Sequence, residues 1–318
     1  MTDLLLIKTS SLGDVVHAFP AVTDMVHHCP TLSIDWIVEE SFAALPRLHP
    51  AVRRVIPVAL RRWRTALFSP STHAEWRRLK QVLQTLNHDA SLDLQGLIKS
   101  ALVGCFSPAL RMGYDRHSIR EPLASLFYQQ RFRVSRNLHA VERNRALAGL
   151  ALGYDPEKAV TYGLRSDLAR PRTVGDEPYV IFLHGTSRRD KEWPETHWIA
   201  LGQHLSAQGS TILLPGGNER ERQRAQHLAN QIFGAQALAP LDLTTLAGLL
   251  AHAQAVVGVD TGLSHLATAL QRPVVALYTA TDPRATGVFG SARAMNLGGK
   301  GSCPSVPEVL DALEKLLS

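Results

Sequence analysis

The chain of 318 residues predicts an α/β protein made of two doubly wound domains. Three observations lead there. Short apolar runs alternate with helical patterns throughout, which argues for parallel sheets covered by helices on both faces. The length suits two domains of ordinary size, each able to bury a core, better than one. A polar, aperiodic stretch with Pro and Gly, residues 165–178, marks the break. It divides residues 1–170 from residues 171–318. Two such domains facing each other would form a cleft at the carboxyl ends of their strands, where ligands bind in sheets of this kind.

The elements follow in order. Leu4–Lys8 is a short apolar strand, and Asp14–His27 has helical spacing. Ser33–Val38 and Val52–Val58 are strands, Ala74–Leu86 a helix, Ala90–Leu94 a strand and Leu138–Ala151 a helix. The second half opens with the strand Tyr179–Leu183 and the helix Pro194–Ala207, begun by a proline where proline starts helices well. Strand Thr211–Leu214 precedes helices Arg220–Ile232 and Leu243–Ala251. Strand Ala255–Val259, helix Leu263–Leu270 and strand Val274–Leu277 come next, and Ser305–Leu317 is a helix opened by Pro307.

Composition narrows the class. A hydrophobic content of 45% fits a globular chain. Cys29, Cys105 and Cys303 are too scattered for a disulfide framework or a zinc site, and suggest a reducing compartment. The N-terminus lacks a basic n-region and its apolar run breaks at Lys8, so it does not read as a signal peptide. No stretch approaches the roughly 20 apolar residues of a membrane span. The expectation is a cytosolic protein that at most touches a membrane from its surface. The net charge of +6 is uneven: residues 1–170 hold 22 Lys/Arg against 15 Asp/Glu, residues 171–318 hold 12 against 13. The basic half predicts an acidic partner, or else a solvated basic surface.

Ala253–Leu270 is the most informative segment. Its apolar run stops at Asp260-Thr261-Gly262 and a helix follows at once. The first N–H groups of that helix lack intrahelical partners, and with the positive end of the dipole they seat a phosphate. Gly262 admits the ligand to the backbone, Thr261 adds a hydroxyl, and His265 lies about one turn on. The segment reads as the diphosphate site of a nucleotide-activated donor.

Three further turns follow strands. In His184–Pro194, Thr186 and Ser187 can donate to phosphate oxygens and Lys191 can meet a leaving diphosphate, or the loop simply carries a solvated lysine. In Leu214–Arg222, Gly216 and Gly217 permit close approach, while Glu221 either accepts from ribose hydroxyls or pairs with Arg neighbours. In Lys8–His17 the G-x-G-x-x-G pattern is absent, but Ser10, Ser11 and Gly13 can serve an oxyanion. Asp14 there is either a helix N-terminal charge, stabilising by roughly 0.3–1 kcal/mol, or a general base. The basic half adds Arg61, Arg62 and Arg64 in R-R-W-R, then Lys99, Arg116, Arg120, Arg143 and Arg145. Arginine suits phosphate and carboxylate. Nucleic acid is disfavoured, since aromatic interleaving is thin and no nucleic-acid motif is present. The 14 histidines show no metal-ligand spacing, and neither G-x-S-x-G nor a P-loop occurs.

Taken together, K-T-S-S-L-G-D-V-V-H-A-F-P-A, W-I-V-E-E, V-I-P-V-A-L-R-R-W-R, D-L-Q-G-L-I-K-S, R-E-P-L-A-S-L-F-Y, H-A-V-E-R and V-D-T-G-L-S-H-L resemble the lipopolysaccharide heptosyltransferases. The resemblance runs in colinear order from Leu4 to about Asp282. The R-R-W-R and R-E-P-L-A-S-L-F-Y runs point to the type I branch.

The resemblance implies a GT-B fold of two Rossmann-like domains, and transfer of L-glycero-D-manno-heptose from ADP-heptose to a Kdo sugar of Kdo2-lipid A. It implies that Asp14 is the catalytic base and that Lys191, Thr186 and Ser187 hold the donor phosphates. Asp260, Thr261, Gly262, Leu263 and His265 shape the donor site, with Ser11 and Gly13 as further donor contacts and Glu221 at the ribose. Arg61, Arg62, Arg64, Lys99, Arg120 and Arg143 meet the acidic acceptor. The place implied is the cytoplasmic face of the inner membrane, held peripherally. Attack opposite the diphosphate inverts the anomeric centre through an oxocarbenium-like transition state. Lysine, hydroxyls and a helix N-terminus supply the charge at the leaving group, so no metal and no cofactor are expected. The alternatives are a heptosyltransferase for another acceptor, a non-catalytic basic binder of anionic lipid, or a nucleotide-sugar epimerase on the same fold.

Overall fold

A computed structural model describes residues 2–172 and 174–318. Met1 and Thr173 lie outside the described residues, and the second of these falls inside the expected boundary 165–178. The chain divides into two compact units, one ending at Leu164 and the other running from Arg165 to Ser318.

The first unit comprises β1 (Asp3–Ile7), α1 (Leu12–Val16), α2 (Phe19–His28), β2 (Ser33–Glu39), β3 (Val52–Val58), α3 (Leu60–Thr65), α4 (Pro70–Leu86), β4 (Ala90–Asp93), α5 (Ile98–Gly104), β5 (Leu110–Tyr114), β6 (Gln130–Phe132) and α6 (Ala140–Leu152). Its six strands are parallel in the order β3-β2-β1-β4-β5-β6. Leu4, Leu5 and Leu6 of the central strand are all fully buried, because helices cover both faces of the sheet. One face packs Leu5, Ile7, Ile37 and Ile56 against Trp63, Leu79 and Leu83. On α2 and α6, Asp24 and Arg145 form a nearly inaccessible ion pair, 2.6 Å between Oδ2 and Nε. Arg145 is therefore a buried structural cation, unlike the exposed Arg116 and Arg120.

The second unit comprises β7 (Tyr179–Leu183), α7 (Glu195–Ala207), β8 (Thr211–Leu214), α8 (Glu219–Gln231), β9 (Gln236–Ala237), α9 (Leu243–Ala251), β10 (Ala255–Val259), α10 (Gly262–Ala269), β11 (Val274–Tyr278), α11 (Pro283–Thr286), β12 (Ala294–Gly298) and α12 (Val306–Leu317). The strand order is β12-β11-β10-β7-β8-β9, again parallel. Phe182, Trp193 and Trp198 fill its core, and α12 adds Val309, Ala312 and Leu313. Both sheets wind alike. The first strand of each unit is central, the next two lie to one side and the last three to the other. The winding reverses between β1 and β4, and between β7 and β10, which is where doubly wound sheets bind ligands.

Two expectations change in detail. The helix expected over 14–27 is two helices, because Pro20 in the first turn of α2 has no N–H for the carbonyl of Val16. The strands β5, β6, β9 and β12 and the helices α3, α5 and α11 join the expected set. Of the four added strands β6, β9 and β12 are sheet edges and β5 lies beside one; all have partly exposed residues, and β9 is only two residues long.

Candidate active site

At the first switch point β1 ends and the chain turns through Lys8-Thr9-Ser10-Ser11 into α1. Gln95, just past β4, reaches across: its Oε1 accepts from the N–H groups of Thr9 and Ser10, both at 3.0 Å. Asp14 is the third residue of α1 and closes a capping box with Ser11. Its Oδ2 accepts from Ser11 N at 2.6 Å and from Ser11 Oγ at 3.0 Å. Behind this turn Lys8 is buried, and its Nζ donates to Leu94 O at 2.8 Å and Asn144 Oδ1 at 3.4 Å. Burial lowers the Lys8 pKa; the charges of Asp14 and Asp93 act the other way, and Arg143 adds to the lowering. Asp93 gathers the loop after β4. It accepts from Gln95 N, Gly96 N, Ser100 Oγ and Tyr128 OH at 2.7–3.1 Å. Burial raises its carboxyl pKa despite these donors.

At the second switch point the loops after β7 and β10 are tied together. Thr186 Oγ1 donates to Asp260 O at 3.0 Å, and Lys191 Nζ to Asp260 Oδ2 at 2.7 Å. Thr281 Oγ1 donates to the same Oδ2 at 2.7 Å. Thr261 caps α10 with extended backbone, and its side chain makes no capping hydrogen bond, so it leaves the amides of Gly262 and Leu263 uncapped, while Ser264 N donates to Thr261 O at 3.1 Å. Beside α10, Glu221 Oε2 accepts from Gly217 N at 2.8 Å. Arg220 and Arg222, its neighbours, pair instead with Glu192 and Glu219. Gly216 is demanded by space: a Cβ there would stand 2.8 Å from Arg222 N and 2.9 Å from the carbonyl carbon of Glu221. These segments enclose a cavity of about 280 Å³, lined by Thr186, Ser187, Gly217, Glu221, Thr261 and Leu263 among others.

The sequence profile described as Glycosyltransferase family 9 (heptosyltransferase) matches residues 76–313. The chain belongs to glycosyltransferase family 9. Its similarity to lipopolysaccharide heptosyltransferase 1 of Pseudomonas aeruginosa is 45% identity over 302 residues, 94% of this chain and 84% of that one. With the enzyme of the same name from Escherichia coli K12 it shares 44% over 289 residues, 90% of this chain and 91% of that one. The solved structure of the E. coli heptosyltransferase WaaC with ADP superposes with a TM-score of 0.90 at 40% identity, covering 99% of both chains. The same enzyme with ADP-2-deoxy-2-fluoro heptose gives 0.89 at 41%, covering 98% of this chain and 99% of that one. This family 9 member is thus a glycosyltransferase with the two Rossmann-type domains of the GT-B fold. The profile continues past Asp282, where the sequence resemblance ended.

In the family 9 chain, Thr186, Ser187, Glu221, Thr261 and Leu263 share one cavity. Gly262 opens α10, while His265 on the same helix is buried. Lys191 and Asp260 hold each other close by. In the first unit, Ser11, Gly13 and Asp14 lie on one turn, and Lys99 Nζ joins them through Ser10 Oγ at 3.3 Å. Arg143 sits over the Tyr114 ring at 5.1 Å and donates to Ser118 O at 2.6 Å. Arg120 is exposed on the loop after β5. Arg61, Arg62 and Arg64 occupy α3. Arg61 rests over Phe42 at 5.1 Å, whereas Arg62 is bound to Glu75 and Glu40 at 2.9 and 3.4 Å. Sequence reasoning missed Lys8, Asp93, Gln95, Tyr128, Asn144 and Thr281. In the run D-L-Q-G-L-I-K-S the signal beside Lys99 is Asp93, an acid that ends an apolar strand before a glycine. Among the described residues, no three His, Cys, Asp or Glu side chains are placed to hold a metal ion. No helix of the described residues is long and apolar enough to cross a membrane.

Proposed function

We propose that the protein moves L-glycero-D-manno-heptose from ADP-heptose to a Kdo sugar of Kdo2-lipid A, with inversion at the anomeric carbon. The observation that carries this is the cavity at the β7/β10 switch point, which gathers small hydroxyl side chains, glycines, a helix N-terminus and one carboxylate. Such a set suits a nucleoside diphosphate. The diphosphate takes Ser187, Thr261, the amides at Gly262 and Leu263, and Lys191. The Thr186 hydroxyl already donates to Asp260, so Thr186 serves by holding the two loops in place. Glu221 accepts from the ribose, and Ala239, Leu241 and Leu246 offer the base an apolar wall. The support from similarity is the pair of E. coli structures, one with ADP and one with a fluorinated ADP-heptose.

In the reaction the acceptor oxygen bonds to the anomeric carbon as the bond from that carbon to the diphosphate oxygen breaks. Asp14 takes the acceptor proton. Both Ser11 contacts fall on Oδ2, so Oδ1 is the oxygen offered to the acceptor. ADP leaves with its growing charge met by Lys191 and the α10 amides. In this reading residues 1–170 bind the acceptor and residues 171–318 the donor. Lys99, Arg143, Arg120, Arg61 and Arg64 meet the acceptor's carboxylates and phosphates, and Arg62 acts from within its pair with Glu75. The protein works at the cytoplasmic face of the inner membrane without spanning it. The test is direct: incubate the full chain with ADP-heptose and Kdo-bearing lipid A, and follow ADP and the mass of the lipid. ADP release with one heptose gained by the lipid is expected; no mass gain defeats the reading.

A further inference from the structure

We infer that the α3–α4 hairpin is the surface by which the protein docks on an anionic lipid bilayer, with Phe68 as its apolar anchor. The inference rests on the reading of the acceptor as a lipid. Phe68 is 93% exposed at the tip of the hairpin and Leu67 beside it 44%. One exposed aromatic is ordinary in a soluble protein, and Phe233 is 89% exposed as well. What differs is the charge around each. Residues 53–80 hold eight Lys/Arg against the single acid Glu75, whereas residues 225–241 around Phe233 hold no Lys, Arg, Asp or Glu.

Much of that charge is free. Arg53 and Arg54 pair with Asp35, and Arg62 with Glu75 and Glu40. Arg61, Arg64, Arg77, Arg78 and Lys80 are exposed, and no ion pair among the described residues uses them. On α4 the exposed His73, Arg77, Lys80 and Gln84 recur at the spacing of one helical face, while Leu79 and Leu83 are buried. An open cavity of about 490 Å³ adjoins the hairpin, walled by Ile56, Trp63 and Leu79; its rim carries Arg62 with its acids Glu40 and Glu75, and Arg78, unpaired among the described residues. Apolar tip, basic stripe and apolar hollow together fit the headgroup boundary of a bilayer, where cations meet lipid phosphates and an aromatic enters the acyl region. The topology agrees. The strand β3 ends at Val58 and α3 follows at Leu60, so the hairpin lies on the carboxyl side of the sheet, as Asp14 does.

The test is sedimentation of the full-length protein with vesicles of phosphatidylcholine alone or with phosphatidylglycerol added, at low and high salt. Salt-sensitive binding to the mixed vesicles is expected, with little binding to phosphatidylcholine. Phe68→Ser should weaken it by about tenfold or more, and R77E with K80E by about tenfold or more. Phe233→Ser should leave it unchanged, and all variants should melt as the wild type does. Equal binding to both vesicles, or equal effects of Phe68→Ser and Phe233→Ser, would overturn the inference. Heptose transfer to a deacylated, soluble Kdo acceptor is measured alongside. Phe68→Ser should leave that rate intact, so failure of the docking surface is told apart from failure of the proposed activity.

Discussion

The ammonium of Lys191 stands 2.7 Å from Oδ2 of Asp260, and Thr281 donates to that same oxygen at 2.7 Å. A lysine on a loop is thereby aimed at the N-terminus of α10, where the donor phosphates are proposed to sit. The hold is shared among three side chains, so the ammonium is placed before the donor arrives and little reorganisation is needed at the transition state.

Lys191→Ala should therefore lower kcat/KM for ADP-heptose by about 10²–10³-fold. Asp260→Asn keeps an oxygen for Thr281 and releases the ammonium from its counter-charge, so it should cost no more than about tenfold. Steady-state ADP release ranks the two variants. A larger loss in Asp260→Asn than in Lys191→Ala would show that the pair, not the cation, matters.

Asp14 carries two duties that one substitution separates. Asn at this position still offers an oxygen to Ser11 N and Oγ, so the cap of α1 and the melting temperature should persist. It cannot take a proton from the acceptor. Asp14→Asn should lower kcat by about 10²–10⁴-fold with KM for ADP-heptose unchanged. A variant of near-normal kcat would leave Asp14 with the cap alone.

The ribose contact makes a third case. Glu221→Ala removes a carboxylate from an open cavity and should raise KM for ADP-heptose about 10- to 100-fold with the melting temperature unchanged. Gly216→Ala forces a Cβ against backbone atoms of Glu221 and Arg222. Because backbone cannot swing away, the first turn of α8 must move, at a cost of about 1–3 kcal/mol. That variant should lose both affinity and melting temperature. If Gly216→Ala leaves both unchanged, the turn is looser than its spacing indicates.

What could be read without coordinates follows a physical division. Ala255–Val259 and Tyr179–Leu183 announce themselves because a strand covered on both faces needs an unbroken apolar run. The turn after Ala255–Val259 shows through Gly262 and the turn after Thr211–Leu214 through Gly216 and Gly217, since small residues are what the backbone requires there. Gln236–Ala237 and Gln130–Phe132 pair through their main chains, which leaves no mark on side-chain type. The Asp93 cluster was hidden because its donors, Ser100 and Tyr128, come from elements apart in the chain. Arg145 and Arg120 are alike as letters, yet one is buried on Asp24 and the other is exposed. The pairing of Lys191 with Asp260 needs two loop ends to meet, and no local pattern encodes that meeting.

Acid should weaken both units through histidines buried in neutral form. His49 and His184 are 3% and 0% exposed. At His49, Nδ1 accepts from Ala51 N at 3.2 Å, so Nε2 carries the proton and faces Thr23 Oγ1 at 3.0 Å. Protonating Nδ1 would set a donor against the Ala51 N–H. Burial lowers the His49 pKa from 6.5 to about 4. At His184, burial and then the Arg224 charge lower it to about 4. Each folded-state value lies below the ordinary one, so the unfolded chain binds more protons between pH 6.5 and 4. Stability from these groups is full above about pH 6.5 and falls as pH drops toward 4, with a slope of roughly 1.4 kcal/mol per pH unit per fully titrating group. Below pH 4 these two add nothing further. Thermal melts from pH 8 to 4 should be flat at first and then fall. His49→Gln should melt lower than the wild type at pH 8 but decline less steeply below pH 6.5. A wild-type melting temperature that stays level down to pH 4 would mean that neither imidazole is held neutral by burial.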